Sequence, residues 1–400
     1  DCTKLISFCE LNNLLIGTNG KNPIWKYSVA TDPAVVIGGT PPATAVALLT
    51  FYNRVLALAA DGTLSWCAIN NPDDWTSATA GSNAPALATG QTGTGLGAVG
   101  EDAFLFMSGS IWKFVYTGDS KAPFVFRVHD AVTGASGRQA IVSVPDRAMI
   151  FFANYQGIYI MQAPGYVPVR ISKALDGAGG LWESVNKSRL GYISAARNPV
   201  KNEIWFSVSL SSGSTNSKIL VYDYDEQTWT SFTGILASSL GNHTDGNGAV
   251  RLYHGDYAGW VYNNESGDKD VPGGVDTLID AYVLSKAHPL VDGVNLGSVR
   301  FVRIFYDSQS TAGFLEFGYG YDLQGIQRTV QLQQGVAGAQ WDTGIWDSDV
   351  WAVTTQQVKD LSLLGQGHHF QFQIRNRTMN VPCRVYKVEL GLKPTGVASA

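Results

Sequence analysis

The chain has 400 residues, 45% hydrophobic and 11% aromatic, and its 28 basic and 33 acidic side chains give a net charge of −5. Charged residues make up only 15%, well below the roughly 25% of an ordinary globular domain, so surfaces covered by partner chains are expected. Tight nucleic-acid binding through released counterions is not expected from the even balance: residues 1–275 hold 18 basic and 22 acidic groups, residues 276–400 hold 10 and 11, and the longest basic cluster is Arg375-Asn376-Arg377.

Along the chain the hydrophobic period is two, and one unit recurs six times before residue 275. Each copy reads as a strand of small residues, a tight turn, an apolar strand, a glycine or polar turn, and a third, usually aromatic strand. The first copy predicts strands over 5–9 and 14–17 around Asn12-Asn13, ending in Ile24-Trp25-Lys26-Tyr27. The second predicts 45–49 and 55–58 around Tyr52-Asn53-Arg54, ending in Leu64-Ser65-Trp66; the third predicts 96–99 and 104–107, ending in Ile111-Trp112-Lys113-Phe114. In the fourth, 141–144 and 149–152 precede Ile158-Tyr159-Ile160-Met161, and in the fifth, 193–196 and 204–208 precede Ile219-Leu220-Val221-Tyr222. The sixth, 236–240 and 250–253, ends in Trp260-Val261-Tyr262. Trp25, Trp66, Trp112 and Trp260 are expected at equivalent positions between sheets, with Tyr159 and Tyr222 standing in for tryptophan in the fourth and fifth copies. The best helical candidate, 174–187, is interrupted by Gly177, Gly179 and Gly180.

The repeat fades in the polar stretch 263–274. Beyond it, alternating segments at 277–284, 299–306, 314–319, 328–332, 369–374 and 384–392 have the layout of an antiparallel sandwich. Segment 277–284 has a second reading, as the outer strand that closes a ring. The spacing of the repeat, roughly 40 to 60 residues, overlaps the four-stranded blade period of propellers. The expected fold is therefore all-β: a six-bladed β-propeller over 1–275 followed by a C-terminal antiparallel β-sandwich over 276–400.

Chemistry is sparse. Asp73 and Asp74, in Asn70-Asn71-Pro72-Asp73-Asp74-Trp75, are read as turn residues because neighbours on a turn point apart, with Trp75 plugging the space between blades. Asp223 and Asp225 sit in a kelch-like hairpin ending at Trp229 and are read as satisfying turn amides. Asp61-Gly62-Thr63-Leu64-Ser65-Trp66 approaches a sialidase Asp box without its spacing. Trp341, Trp346 and Trp351 stand five residues apart, either a platform for sugars or a loop pinned to the sandwich. His368 and His369 would face opposite ways on a strand. Cys2, Cys9, Cys67 and Cys383 have no metal or redox spacing and read as free thiols in preference to a disulfide. No phosphate loop or Gly-x-Ser-x-Gly elbow occurs, so no enzyme, cofactor or metal is expected. No run reaches the eighteen apolar residues of a membrane span, so no membrane insertion is expected. The start at Asp1 leads us to expect an upstream segment, processed or absent from this numbering.

The stretch from Ala45 through Phe51-Tyr52-Asn53-Arg54 to Ala59, then Leu64-Ser65-Trp66-Cys67 and Asn71-Pro72-Asp73-Asp74-Trp75, resembles the blade of tail proteins from short-tailed bacteriophages. These are nozzle or tail hub proteins, which include the packaged-DNA stabilisation proteins; a Trp-Asp loop such as 341–351 is similar to one late in such chains. The resemblance implies a ring homo-oligomer, a hexamer, beneath portal and adaptor, with a central channel for viral DNA in transit and contacts with a tail adaptor and with tail fibre or spike proteins. It implies a place in the virion, after synthesis in the host cytoplasm, and no catalytic residue. The alternative classes are a carbohydrate-binding propeller and a glycoside hydrolase.

Overall fold

The computed structural model describes residues 6–31, 33–85, 90–177, 180–267, 271, 275–291, 296–307, 313–334, 356–378 and 381–396. Cys2, Trp341, Trp346 and Trp351 lie outside the described residues. The protein is all-β, and its contacts divide it into two compact units, Asp1–Glu265 and Ser266–Ala400.

Six small antiparallel sheets succeed one another in the first unit, each with its strands hydrogen-bonded in chain order. The first holds Ser7–Leu11, Leu14–Thr18, Trp25–Tyr27 and Val35–Val36; the second Ala45–Phe51, Arg54–Ala59, Leu64–Trp66 and Gly81–Asn83. The third holds Gly93–Val99, Asp102–Met107, Ile111–Tyr116 and Phe124–Asp130; the fourth Ile141–Val144, Met149–Ala153, Ile158–Gln162 and Val169–Arg170. The fifth holds Ser194–Asn198, Glu203–Val208, Lys218–Asp223 and Thr228–Thr233; the sixth Ser239–Thr244, Val250–Gly255 and Val261–Asn263. The first hairpins turn where the sequence places Asn12-Asn13 and Tyr52-Asn53: all four residues have positive φ (54°, 61°, 46° and 54°), as two-residue hairpins with the right twist require.

Second strands such as Val55-Leu56-Ala57-Leu58 and Phe104-Leu105-Phe106-Met107 are wholly buried. A strand sandwiched on both faces has no polar side, which is why these read as unbroken apolar runs. A separate core fills the space between each consecutive pair of sheets. Leu11, Ile16 and Ile37 meet Leu48, Val55 and Trp75 between the first and second, and Leu56, Leu58 and Trp66 meet Leu105, Phe114 and Phe124 between the second and third. Phe104 and Phe106 meet Phe152 and Met161; Val144 and Phe151 meet Phe206 and Tyr222; Trp205 and Ile219 meet Leu252.

The 3₁₀ turn Arg138–Ala140 leads into the fourth sheet and lies against the first strands of the third and fifth. From it, the Arg138 Nη1 donates to Val46 O in the second sheet (2.8 Å), and Gln139 Nε2 donates to Ile6 O at the start of the first (3.0 Å). One turn therefore ties together the leading edges of five sheets. Burial pushes the Arg138 guanidinium down to about 10.

The described residues of 174–187 form no α-helix. Short 3₁₀ turns at Ser172–Leu175 and Lys187–Tyr192 flank it, and Gly177 sits at φ 103°, a conformation that ends any right-handed helix.

In the second unit, one sheet runs Ala281–Leu284, His369–Asn376, Gly313–Tyr321, Arg328–Gln334, with His288–Pro289 also on His369–Asn376. The other runs Gln356–Ser362, Leu296–Asp307, Val385–Gly396. Val302, Ile304 and Tyr306 of one and Leu315, Phe317 and Phe370 of the other share a core. Ala281 to Leu284 pair with Gln373 to Asn376 inside this unit, so the second reading of 277–284, as a ring-closing outer strand, is corrected.

Candidate functional site

The repeat aromatics sit on third strands, with one exception. Trp25 pairs with Gly17, Trp66 with Leu56, Trp112 with Leu105, Tyr159 with Phe152 and Tyr222 with Ile204. Trp25, Trp112 and Tyr159 thus fall opposite the fourth residue of their second strands, Trp66 opposite the third and Tyr222 opposite the second. They share a strand but not one register. Trp66 is buried, with Phe124 edge-on at 5.4 Å, and lies over its cross-strand partner Gly81, where a Cβ would come within 3.1 Å of the indole. Trp260 corrects the expectation of burial: it precedes Val261–Asn263 and is 56% exposed. Its sheet is the last of the first unit and has three strands.

The aspartates of the sequence motifs hold turns and joints. Asp73 accepts from Gly38 N (2.7 Å) and pairs with Lys26, both in the first sheet region. Partial burial would raise its pKa, but these bonds outweigh it and hold the carboxyl below the usual range. Asp74 accepts from the Thr76 and Ser77 amides (3.1 and 2.9 Å), and Trp75, buried, donates from Nε1 to Pro72 O (2.8 Å). Asp223 accepts from the amides of Asp225 and Glu226, while Asp225 accepts from Asn202 Nδ2 (2.7 Å) and pairs with Arg147 of the fourth sheet region (3.3 Å). The four do not converge.

Sequence reasoning missed the recurring joints. Ser7 opens the first strand of the first sheet, and its Oγ accepts from Leu48 N in the second (3.0 Å). Ser194 opens the first strand of the fifth, and its Oγ accepts from Leu240 N in the sixth (2.9 Å). Between the fourth and fifth sheets Arg197 forks onto both oxygens of Asp146 (2.5 and 2.8 Å). At the fifth and sixth, Asn198 Nδ2 donates to Glu203 (3.3 Å) and to Glu265 (2.9 Å), and Trp205 Nε1 donates to Glu203 (2.8 Å). Burial pushes Glu203 up; its carboxylate is bound by the sheet's own indole and amide, the chemistry of a structural joint. Three cysteines are free; burial raises Cys67, and takes Cys9 to about 12 and Cys383 to about 11, so none has the low-pKa character of a reactive thiol. Among the described residues no His, Cys, Asp and Glu cluster could hold a metal ion, and no helix is long and apolar enough to cross a membrane.

The second unit contains a cavity of about 250 Å³, floored by Tyr319 and Tyr321 and rimmed by Asp322, Gln324, Gln327 and Arg328 on one side and the 364–366 loop on the other. Asp322 and Leu323 turn at positive φ (54° and 61°). Gln327 Oε1 accepts from Tyr321 N (3.3 Å), and Gln327 Nε2 donates to Gln324 Oε1 (2.5 Å). On the opposite side Leu364 N donates to the Tyr319 hydroxyl (3.3 Å) and Asp322 Oδ1 accepts from His368 N (2.6 Å) and His369 N (3.2 Å).

No protein-family profile matches the chain, and no curated protein matches it in sequence. Among solved structures it is similar to a crystal structure of the computationally designed Ika8 protein, at 15% identity and a TM-score of 0.40 over 64% of this chain and 70% of that one.

Proposed function

We propose that the chain is a structural protein of a bacteriophage tail, a nozzle or tail hub of the short-tailed kind, in which the six sheets are the blades of a six-bladed propeller and the second unit is a β-sandwich. The observation that supports the propeller reading is the turn Arg138–Ala140, whose bonds to Val46 and Ile6 and whose position against the third and fifth sheets fit leading strands gathered about one axis. A linear stack would put the fourth sheet's leading turn out of reach of the first. The phage reading is supported by the motif of the second sheet acting as one piece. Arg54, fully buried, donates to Cys67 O (2.8 Å) and to Thr79 O, binding the Tyr52-Asn53 hairpin to the end of the Leu64-Ser65-Trp66-Cys67 segment and to the stretch after Trp75.

On this reading the protein is no enzyme and needs no cofactor. It works as a ring, a homo-hexamer in the virion, joined to a tail adaptor and to tail fibre or spike proteins. Side chains of the Arg138–Ala140 turn occupy the convergence of the leading strands, so DNA would pass through the channel that the subunits enclose and not along a blade axis. Electron microscopy of the purified full chain, alone and with a candidate adaptor, is the test: hexameric rings that seat on the adaptor are expected, whereas a monomer at micromolar concentration that hydrolyses glycans would overturn the proposal.

A further inference from the structure

We propose that the cavity of the second unit binds an acidic sugar, a uronic or sialic acid unit of a glycan, with Arg328 taking the carboxylate and Asp322 and Gln324 taking ring hydroxyls. This inference is independent of the tail reading, because every residue it uses lies between Tyr319 and His369 in the second unit. The first observation is that the cavity is built before any ligand arrives. Its two walls are tied to the floor by the bonds from Tyr321 N to Gln327 and from Leu364 N to Tyr319. They approach closely only because of glycine: at Gly365, φ 125°, a Cβ would lie 2.5 Å from the Tyr321 ring, and at Gly367 it would lie 2.7 Å from the Asp322 carboxylate. A pocket already in its binding shape loses little entropy on binding.

The second observation is the chemistry of the lining. Arg328 is exposed at the rim and has no acid partner among the described residues. Its guanidinium is planar and matches a carboxylate fork to fork. Asp322 offers the opposite requirement, since one oxygen is engaged by two backbone amides and the other can only accept. A cation and an acceptor-only carboxylate lining one cavity suit a ligand bearing both an anionic group and hydroxyl donors, and disfavour a bare anion such as phosphate. The floor residues Tyr319 and Tyr321 are themselves buried in the core of the unit, so recognition rests on the polar groups of the rim. At about 250 Å³ the space falls below the roughly 300–1,000 Å³ of pockets for drug-sized ligands, which points to a single terminal ring.

Saturation-transfer NMR on the full chain, with glucuronate, N-acetylneuraminate, glucose and inorganic phosphate as probes, tests this. Both acidic sugars are expected to show transfer, glucose little, and phosphate to compete poorly. Arg328→Gln should weaken acidic-sugar binding by about tenfold or more with an unchanged circular dichroism spectrum, Arg328→Lys by less, and Gln324→Ala should weaken it while leaving the preference for acid over neutral sugar. Terminal capture from a longer chain is read from a polyglucuronate arm, where digestion of the polymer to short oligomers should raise binding per unit mass. Equal transfer to glucose and glucuronate, phosphate competing as well as the sugars, an Arg328→Gln variant that binds normally, or no transfer to either acidic sugar would each sink the proposal.

Discussion

Two tryptophans that look alike in sequence have opposite fates in the fold. Trp66 lies in the core between the second and third sheets, against Phe124 and over Gly81, while Trp260 is more than half exposed. Removing a large buried aromatic loses its transfer free energy and leaves a cavity, so Trp66→Ala should cost about 3–5 kcal/mol. Trp260→Ala should stay within about 0.5 kcal/mol, as for surface positions. Urea unfolding of the two variants checks this, and a large loss for Trp260→Ala in dilute monomer would mean that its exposed face is covered within the chain. The aromatic period marks the third strands but not their register: Trp66 and Tyr159 follow connections of equal length, 60–63 and 154–157, yet Trp66 faces the third residue of its second strand and Tyr159 the fourth. Asp73 is the converse case. Turn chemistry is legible in Asn71-Pro72-Asp73, but nothing local announces its bonds to Lys26 and Gly38 thirty-five and more residues earlier.

At the scale of elements, the sheets are joined by serines that begin first strands. Ser194 is fully buried and takes the amide of Leu240 from the next sheet, and Ser7 does the same for Leu48. Deleting the hydroxyl leaves a partly buried N–H without that acceptor, so Ser194→Ala should cost about 1–3 kcal/mol, and Ser7→Ala, at a more open position, about 1 kcal/mol. Chemical denaturation with both single variants and the double variant checks the magnitude; the two joints lie in different sheet pairs, so the losses should add. These joints were invisible beforehand because a serine at a strand start is common, and its partner lies more than forty residues away. First and second strands were legible because a period of two and unbroken apolar runs record one-sided and two-sided burial. The fourth strands were not: Val35–Val36, Gly81–Asn83 and Val169–Arg170 are too short to show a period, and such edge strands face no partner sheet that would fix their pattern. The cavity of the second unit was equally hidden, since Tyr319 and Arg328 are adjacent only through strand pairing.

For the whole molecule, the charge that would meet DNA on the proposed tail reading is set by pairing as much as by count. The net charge is −5, and many of the cations are already spent on neighbours: Arg147 on Asp225, Arg170 on Asp176, Arg197 on Asp146, Arg251 on Asp245 and Arg303 on Asp360. Even Arg375, in the one basic cluster of the sequence, pairs with Asp280. A protein making about six to ten phosphate contacts loses about 10³–10⁵ in affinity between 50 and 200 mM salt, and a net-acidic chain with these arginines paired is not expected to generate that slope as a monomer. A ring could, by repeating a few unpaired cations from every subunit around one channel, and this is where a conduit and a clamp part company. A conduit for DNA under ejection should hold phosphates weakly, because each contact slows passage. If the chain is the proposed conduit, the monomer and a ring of it are both expected to bind duplex DNA no tighter than about 10⁻⁶ M at physiological salt, the tight end of ordinary non-specific binding, with a shallow salt dependence. Fluorescence anisotropy of a labelled duplex titrated with each species from 50 to 200 mM salt measures both quantities, and submicromolar, steeply salt-dependent binding by the ring would replace the conduit with a clamp.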